Sequence, residues 1–148
     1  MHAISSMLTR AGLKAPIQTR IRNEIWLKLL GNATLNPLSA LTGASLADIV
    51  TSPITRDLVR TLMGEVDAVA TALGVEVPLT IEKRMAGAAA LGQHRTSMLQ
   101  DLDAGRPLEV DALLGAVVEL ADGAGVAVPS LRTVYGLTKL LDQVNRSR

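Results

Sequence analysis

The stretch that decides the fold runs from Thr19 to Gly43 and reads TRIRNEIWLKLLGNATLNPLSALTG. Its apolar residues recur at the three- and four-residue spacing of one face of an α-helix. Thr19 is expected to cap the start of this helix, and Gly43 is expected to end it. Pro37 is expected to kink or restart the helix, because proline lacks the amide hydrogen that a helix interior uses.

Further helix signals follow along the chain. Ser52 and Pro53 predict a helix start, with a capping hydroxyl followed by proline at the first helical position. The apolar pattern after them stops at Gly74, and Ser130 is expected to cap the last helix. The other expected helices span residues 80–91, 96–103 and 108–124.

The composition supports the same fold class. Although 48% of the 148 residues are hydrophobic, the only aromatic residues are Trp26 and Tyr135. The core must therefore be aliphatic, which suits helix packing better than strand packing. The sequence predicts an all-α protein that forms a compact multi-helix bundle.

Charge and residue usage exclude several functions. The net charge of +1 favours neither a nucleic-acid face nor a funnel for acidic substrates. The absence of cysteine excludes disulfides and thiolate chemistry, and His2 and His94 have no partners at ligand spacing, so no metal site is predicted. No apolar run approaches the roughly 20 residues of a membrane span. A cytoplasmic protein without nucleic-acid or membrane partners is expected.

The first 18 residues have a different pattern. Ile4 to Ala11 predict a short helix, and Gly12 to Ile17 predict a single strand. A lone strand leaves its backbone groups without partners. We therefore expect residues 1–18 to be a linker or the end of a Rossmann domain that is missing from the chain, followed by a helical domain over residues 19–148.

One helical face carries a polar stripe. Lys28, Asn32 and Asn36 are spaced i, i+4 and i+8, which places them above one another on a helix. In a polar-ligand site the amides would orient the ligand, and the lysine would supply a proton or a positive charge. The alternative is a solvent-facing lysine, with the asparagines capping or bending the helix near Pro37. The spacing alone does not choose between them.

Two further residues have structural explanations when each is taken singly. Ser97 lies near a helix start, where hydroxyls usually act as caps. Glu109 lies in the first turn of an expected helix, where a carboxylate favours the helix dipole. The G-x-G at Gly123 to Gly125 lacks the third glycine and follows a helix, so no dinucleotide fingerprint is present.

Together these segments resemble the C-terminal domain of ketopantoate reductase, also called 2-dehydropantoate 2-reductase. The resemblance covers about Thr19 to Gln143, with its motifs in the family's order. The matching runs are W-x-K-L-x-x-N-x-x-x-N-P-L at 26–38, T-S-M-L-Q-D at 96–101, G-R-P-x-E-V-D at 105–111 and G-V-x-V-P at 125–129.

The resemblance implies an all-helical domain similar to the C-terminal domain of 6-phosphogluconate dehydrogenase, which closes over a Rossmann domain carrying NADPH. The family reduces the 2-oxo acid 2-dehydropantoate to pantoate, in the pathway to pantothenate and coenzyme A. NADP would be bound mainly by the N-terminal domain that this chain lacks, so the isolated chain is expected to be inactive. A homodimer is also expected.

The resemblance also implies roles for five residues. Lys28 matches the catalytic lysine that donates a proton to the carbonyl oxygen. Glu109 matches a carboxylate that contacts the substrate and helps to position the lysine. Asn32, Asn36 and Ser97 match positions that hydrogen-bond the carboxylate and hydroxyl groups of the substrate.

Leu108 and Leu114 stand where the family often has threonine and asparagine, which leaves the exact 2-oxo acid open. A second hypothesis is also open: a non-catalytic helical dimerisation or interaction module that derives from the same family. An apolar face that normally meets a Rossmann domain would drive such self-association.

Overall fold

The computed structural model describes residues 1–147 and shows an all-helical chain, which confirms the predicted fold class. A π-helical turn, Asp111–Gly115, leads directly into the seventh helix, and residues 1–147 contain no strand. The helices are α1 His2–Arg10, α2 Ile21–Thr42, α3 Leu46–Thr51, α4 Pro53–Ala72, α5 Ile81–Ala90, α6 Ser97–Asp103, α7 Ala116–Ala124 and α8 Pro129–Arg146. None of these helices combines the length and the apolarity that crossing a bilayer requires.

Helix α2 is the centre of the bundle and packs against α3, α4, α6, α8 and the π-helical turn. Every residue from 33 to 40 is buried, because neighbouring elements surround this part of the helix. The helix runs unbroken through Pro37 and ends at Gly43, which has the left-handed φ of 72°. The predicted restart at Pro37 is wrong, because packing on all sides compensates for the missing amide hydrogen.

Hydroxyl caps set the starts of α3, α4, α5 and α6. Ser52 accepts a hydrogen bond from the amide of Ile54 at 3.3 Å, and Thr96 accepts one from the amide of Leu99 at 3.2 Å. The predicted cap at Thr19 is wrong, since α2 begins at Ile21 without a side-chain cap.

The start of α8 also differs from the prediction that Ser130 caps it. The carboxylate of Glu65, on α4, accepts hydrogen bonds from the amides of Ser130 and Leu131 at 3.0 and 2.7 Å. A carboxylate from another helix therefore satisfies the first amides of α8, which have no partner within that helix.

The N-terminal segment folds back on its own helix. After α1, Gly12 takes a φ of 83°, and the hydroxyl of Ser5 donates a hydrogen bond to the carbonyl of Ala15 at 2.5 Å. The strand predicted over Gly12 to Ile17 is wrong, because no second strand among residues 1–147 pairs with it and the amides of Gly12 and Leu13 donate to carbonyls of α1 instead. The division of the chain at residue 18 stays a prediction.

Candidate active site

The polar stripe of α2 descends from solvent into the core. Lys28 is exposed, Asn32 is half-buried, and Asn36 is buried with 7% of its surface exposed. Neither asparagine side chain forms a hydrogen bond with any of residues 1–147, so neither acts as a helix cap. Neither amide is among the side-chain polar groups that are fully buried without a partner in residues 1–147, so both remain open to a polar ligand or water.

Asn32 and Asn36 line a pocket of about 250 Å³ together with Ser97. The structure thus brings together the three residues predicted to bind substrate. Other polar residues in its wall are Arg84, His94 and Thr96, and the apolar remainder is Leu35, Leu46, Ala88 and Leu91, with Gly31 at its edge. A concave wall on which several polar side chains converge between apolar ones suits a small polar molecule.

The loop between α5 and α6 brings His94 and Ser97 to this pocket. The first amides of α3 hold the loop: Leu46 donates to the carbonyl of His94 at 3.1 Å, and Ala47 donates to that of Gly92 at 3.2 Å. Free amides at a helix start require such acceptors. The loop is therefore fixed to the bundle.

Ser97 is not the cap of α6. The adjacent Thr96, only 3% exposed, takes that position through its hydroxyl. The hydroxyl of Ser97 is consequently free to bond a ligand in the pocket. The structural alternative that Ser97 caps α6 is therefore wrong.

Lys28 lines an adjoining pocket of about 390 Å³, whose other residues are Glu24, Leu27, Leu79 and Arg84. Arg84 also lines the pocket of Asn32 and Asn36, so the two pockets share this residue. A ligand that spans both pockets can meet the ammonium in one and the amides in the other.

The sequence did not predict Arg84 as a site residue, although Gly31 was an indirect signal of it. Gly31 lies inside α2, where glycine costs about 1 kcal/mol relative to alanine. A methyl group at Gly31 would lie 2.0 Å from Nη2 of Arg84, so the glycine makes room for the guanidinium. A glycine within a helix thus indicated a close neighbour, but not its identity.

Glu109 lines neither of the two pockets. It is exposed and directly precedes Val110, where the helical segment that contains the π-helical turn begins. Glu109 therefore lies one residue before the helix and not in its first turn, as the structural explanation had it. Its catalytic role stays a prediction.

The solved structures that match this fold include reductases and dehydrogenases, so the fold is that of a helical domain found in oxidoreductases. Residues 20–142 match the family described as ketopantoate reductase PanE/ApbA C terminal. The chain belongs to this family.

Individual relatives agree with this assignment. The 2-dehydropantoate 2-reductase of Mesorhizobium japonicum is 46% identical over 138 residues, which are 93% of this chain and 42% of the relative. The crystal structure of 2-dehydropantoate 2-reductase from Methylococcus capsulatus matches with a TM-score of 0.90 and 35% identity, over 97% of this chain and 50% of that one.

A more distant structural relative is D-mandelate dehydrogenase, solved with NADH and anilino(oxo)acetate. It matches with a TM-score of 0.86 and 25% identity, over 97% of this chain and 61% of that one. The chain spans about half the length of the curated relatives that it matches.

Proposed function

We propose that this chain is the substrate-binding and catalytic domain of an NADPH-dependent reductase that converts 2-dehydropantoate to pantoate, on the route to pantothenate and coenzyme A. The observation that carries the proposal is that Asn32, Asn36 and Ser97 line one pocket and Lys28 lines the adjoining one. The names of the reductases from Mesorhizobium japonicum and Methylococcus capsulatus support the activity.

The side chains suit the reduction of a ketone. Negative charge develops on the carbonyl oxygen as the ketone is reduced, and a nearby ammonium stabilises that charge and donates a proton to it. Lys28 is assigned this role. The amides of Asn32 and Asn36 and the hydroxyl of Ser97 each donate and accept hydrogen bonds, so they can orient the hydroxyl and carboxylate groups of the substrate. Glu109 is assigned substrate contact from the family resemblance.

The described residues do not fit the phosphates of a dinucleotide. Such phosphates bind where a glycine-rich loop opens a helix after a strand, whereas Gly123 and Gly125 lie at the C-terminal end of α7. We therefore assign NADPH, which supplies the hydride, to a Rossmann domain outside this chain. The isolated chain is then expected to be inactive.

The proposed enzyme is a cytoplasmic homodimer. Leu137, Leu140 and Val144 lie along one side of α8 with 52%, 58% and 41% of their surfaces exposed. An exposed apolar stripe of this kind favours association with a second surface.

The test combines the chain with the N-terminal half of the Mesorhizobium japonicum relative, as a fusion and as two co-expressed parts. We expect NADPH-dependent consumption of 2-dehydropantoate by the combination and none by the 148-residue chain alone. If every folded combination is inactive while the chain forms dimers by sedimentation, the proposal fails and the interaction module is favoured.

A further inference from the structure

Arg84 has no partner within the described chain. Its Nε is buried without a hydrogen-bond partner, and no carboxylate of residues 1–147 lies within 4.0 Å of its guanidinium. The arginines that do form ion pairs are Arg20, Arg56, Arg60, Arg95, Arg106, Arg132 and Arg146. A partly buried charge without a partner lowers the stability of the fold. Its position in the wall of a pocket therefore indicates that a ligand supplies the partner.

The neighbourhood of Arg84 is adapted to hold the guanidinium there. The side chain lies against Gly31 of α2, where the Cβ atom of any larger residue would clash with the guanidinium. Arg84 lines both the amide pocket and the Lys28 pocket, and Gly31, against which its guanidinium lies, belongs to the wall of the amide pocket.

The chemistry of an arginine selects the group that it would bind. A guanidinium presents parallel N–H donors that match the two oxygens of a carboxylate. In a 2-oxo acid the carboxylate and the ketone are on adjacent carbons. A molecule of this kind in the two pockets can offer its carboxylate to Arg84 and its ketone oxygen to Lys28, because Arg84 lines the same pocket as Lys28.

We propose that Arg84 is the carboxylate-binding, specificity-determining residue of this site, selecting 2-oxo acids over neutral ketones. The inference rests on the proposed function, because it assigns one end of the proposed substrate. The carboxylate supplies the partner that Arg84 lacks, and Asn32, Asn36 and Ser97 of the same pocket remain available to the other lone pairs of the carboxylate and to the hydroxyl group.

Two variants test the inference. Arg84→Ala removes the guanidinium, and Gly31→Ala displaces it without changing the charge of the protein. In the combined enzyme we expect each to raise the KM for 2-dehydropantoate by about 10- to 150-fold, the loss of a charge-assisted hydrogen bond, with a smaller change in kcat. Arg84→Lys is expected to recover part of the loss. Gly64→Ala, in α4, is the matched control, since a methyl group there meets nothing within 4 Å.

Direct binding separates this inference from the proposed reaction. Calorimetry on the 148-residue chain, without cofactor, measures its binding affinity for 2-dehydropantoate and for the neutral amide of that acid. We expect the unaltered chain and Gly64→Ala to bind the acid more tightly than the amide, and Arg84→Ala and Gly31→Ala to lose this preference. That result supports carboxylate binding by Arg84 even if the combined enzyme is inactive. Equal binding of acid and amide by the unaltered chain, or an unchanged acid affinity in both variants, overturns it. Thermal melts confirm that each variant is folded.

Discussion

The backbone amide of Leu108 donates a hydrogen bond of 2.8 Å to Oδ1 of Asp142 and so joins the loop before the π-helical turn to the last helix. Both residues are buried, with 5% and 4% of their surfaces exposed. The second carboxylate oxygen, Oδ2, lies 2.7 Å from Nη2 of Arg146. Because Glu109 follows Leu108 directly, this hydrogen bond also fixes the position of the exposed Glu109 next to the core.

Replacement of Asp142 by asparagine is expected to destabilise the fold. The variant loses the charge-assisted bond and the ion pair, and we expect the free energy of unfolding to fall by about 1.5–3 kcal/mol at neutral pH. Urea unfolding measures the difference. Asp67→Asn is the control, because no hydrogen bond or ion pair of the Asp67 carboxylate occurs among residues 1–147. Equal stabilities of the two variants would contradict the role of Asp142.

The same carboxylate predicts a loss of stability in acid. Burial on its own raises the pKa of Asp142, but the amide of Leu108 and the guanidinium of Arg146 outweigh it, so the pKa lies below its ordinary value. A lowered pKa stabilises the folded state above the ordinary pKa of about 3.9, and that contribution is lost as the pH falls through the folded pKa. We expect the stability gap between the unaltered chain and Asp142→Asn to narrow below about pH 4. A gap that is constant with pH would count against this assignment.

Glu65 is expected to stabilise the start of α8 from outside that helix. Glu65→Gln keeps one acceptor oxygen but cannot serve the amides of both Ser130 and Leu131, and we expect a loss of about 1–2 kcal/mol. Glu119→Gln is the matched control, since Glu119 is exposed and forms no side-chain hydrogen bond within residues 1–147. Chemical unfolding compares them, and a Glu65 variant as stable as its control would argue against the cap.

The contrast between Ser52 and Ser130 shows which parts of the fold the sequence predicts. The cap at Ser52 depends on atoms within two residues of it, so local residue types are enough. The start of α8 depends on Glu65, which is distant in sequence and adjacent only after folding. Pro37 gives the same lesson, because burial of α2 on every side overrides a local helix breaker.

The candidate site divides in the same way. The alignment of Lys28, Asn32 and Asn36 on one face is predictable because one helix carries them at a regular spacing, whereas their roles are inferred from the family resemblance. Arg84 lies on α5 and reaches the site through its contact with Gly31, a pairing between helices that no local pattern encodes. The family resemblance supplied Ser97, and the structure explains why its hydroxyl is free.

Lys28→Ala is expected to lower kcat of the combined enzyme by roughly 10²- to 10⁴-fold, the range for loss of a general acid. Because Lys28 is exposed, the free energy of unfolding is expected to change by less than about 0.5 kcal/mol. Lys83→Ala, which removes another exposed lysine outside both site pockets, is the matched control. Turnover assays compare the two variants, and an unchanged kcat in Lys28→Ala would show that Lys28 is not the proton donor.

Two adjacent hydroxyls allow structure and binding to be separated. Thr96→Ala removes the cap of α6 and is expected to lower the free energy of unfolding by about 1 kcal/mol. Ser97→Ala removes a hydroxyl that lines the pocket but caps nothing, so stability is expected to change by less than about 0.5 kcal/mol. Its effect is expected on the KM for 2-dehydropantoate, raised about 2- to 13-fold by the loss of one neutral hydrogen bond. Thermal melts and initial rates on both variants distinguish the roles: a destabilised Ser97→Ala with unchanged KM would make Ser97 a structural residue.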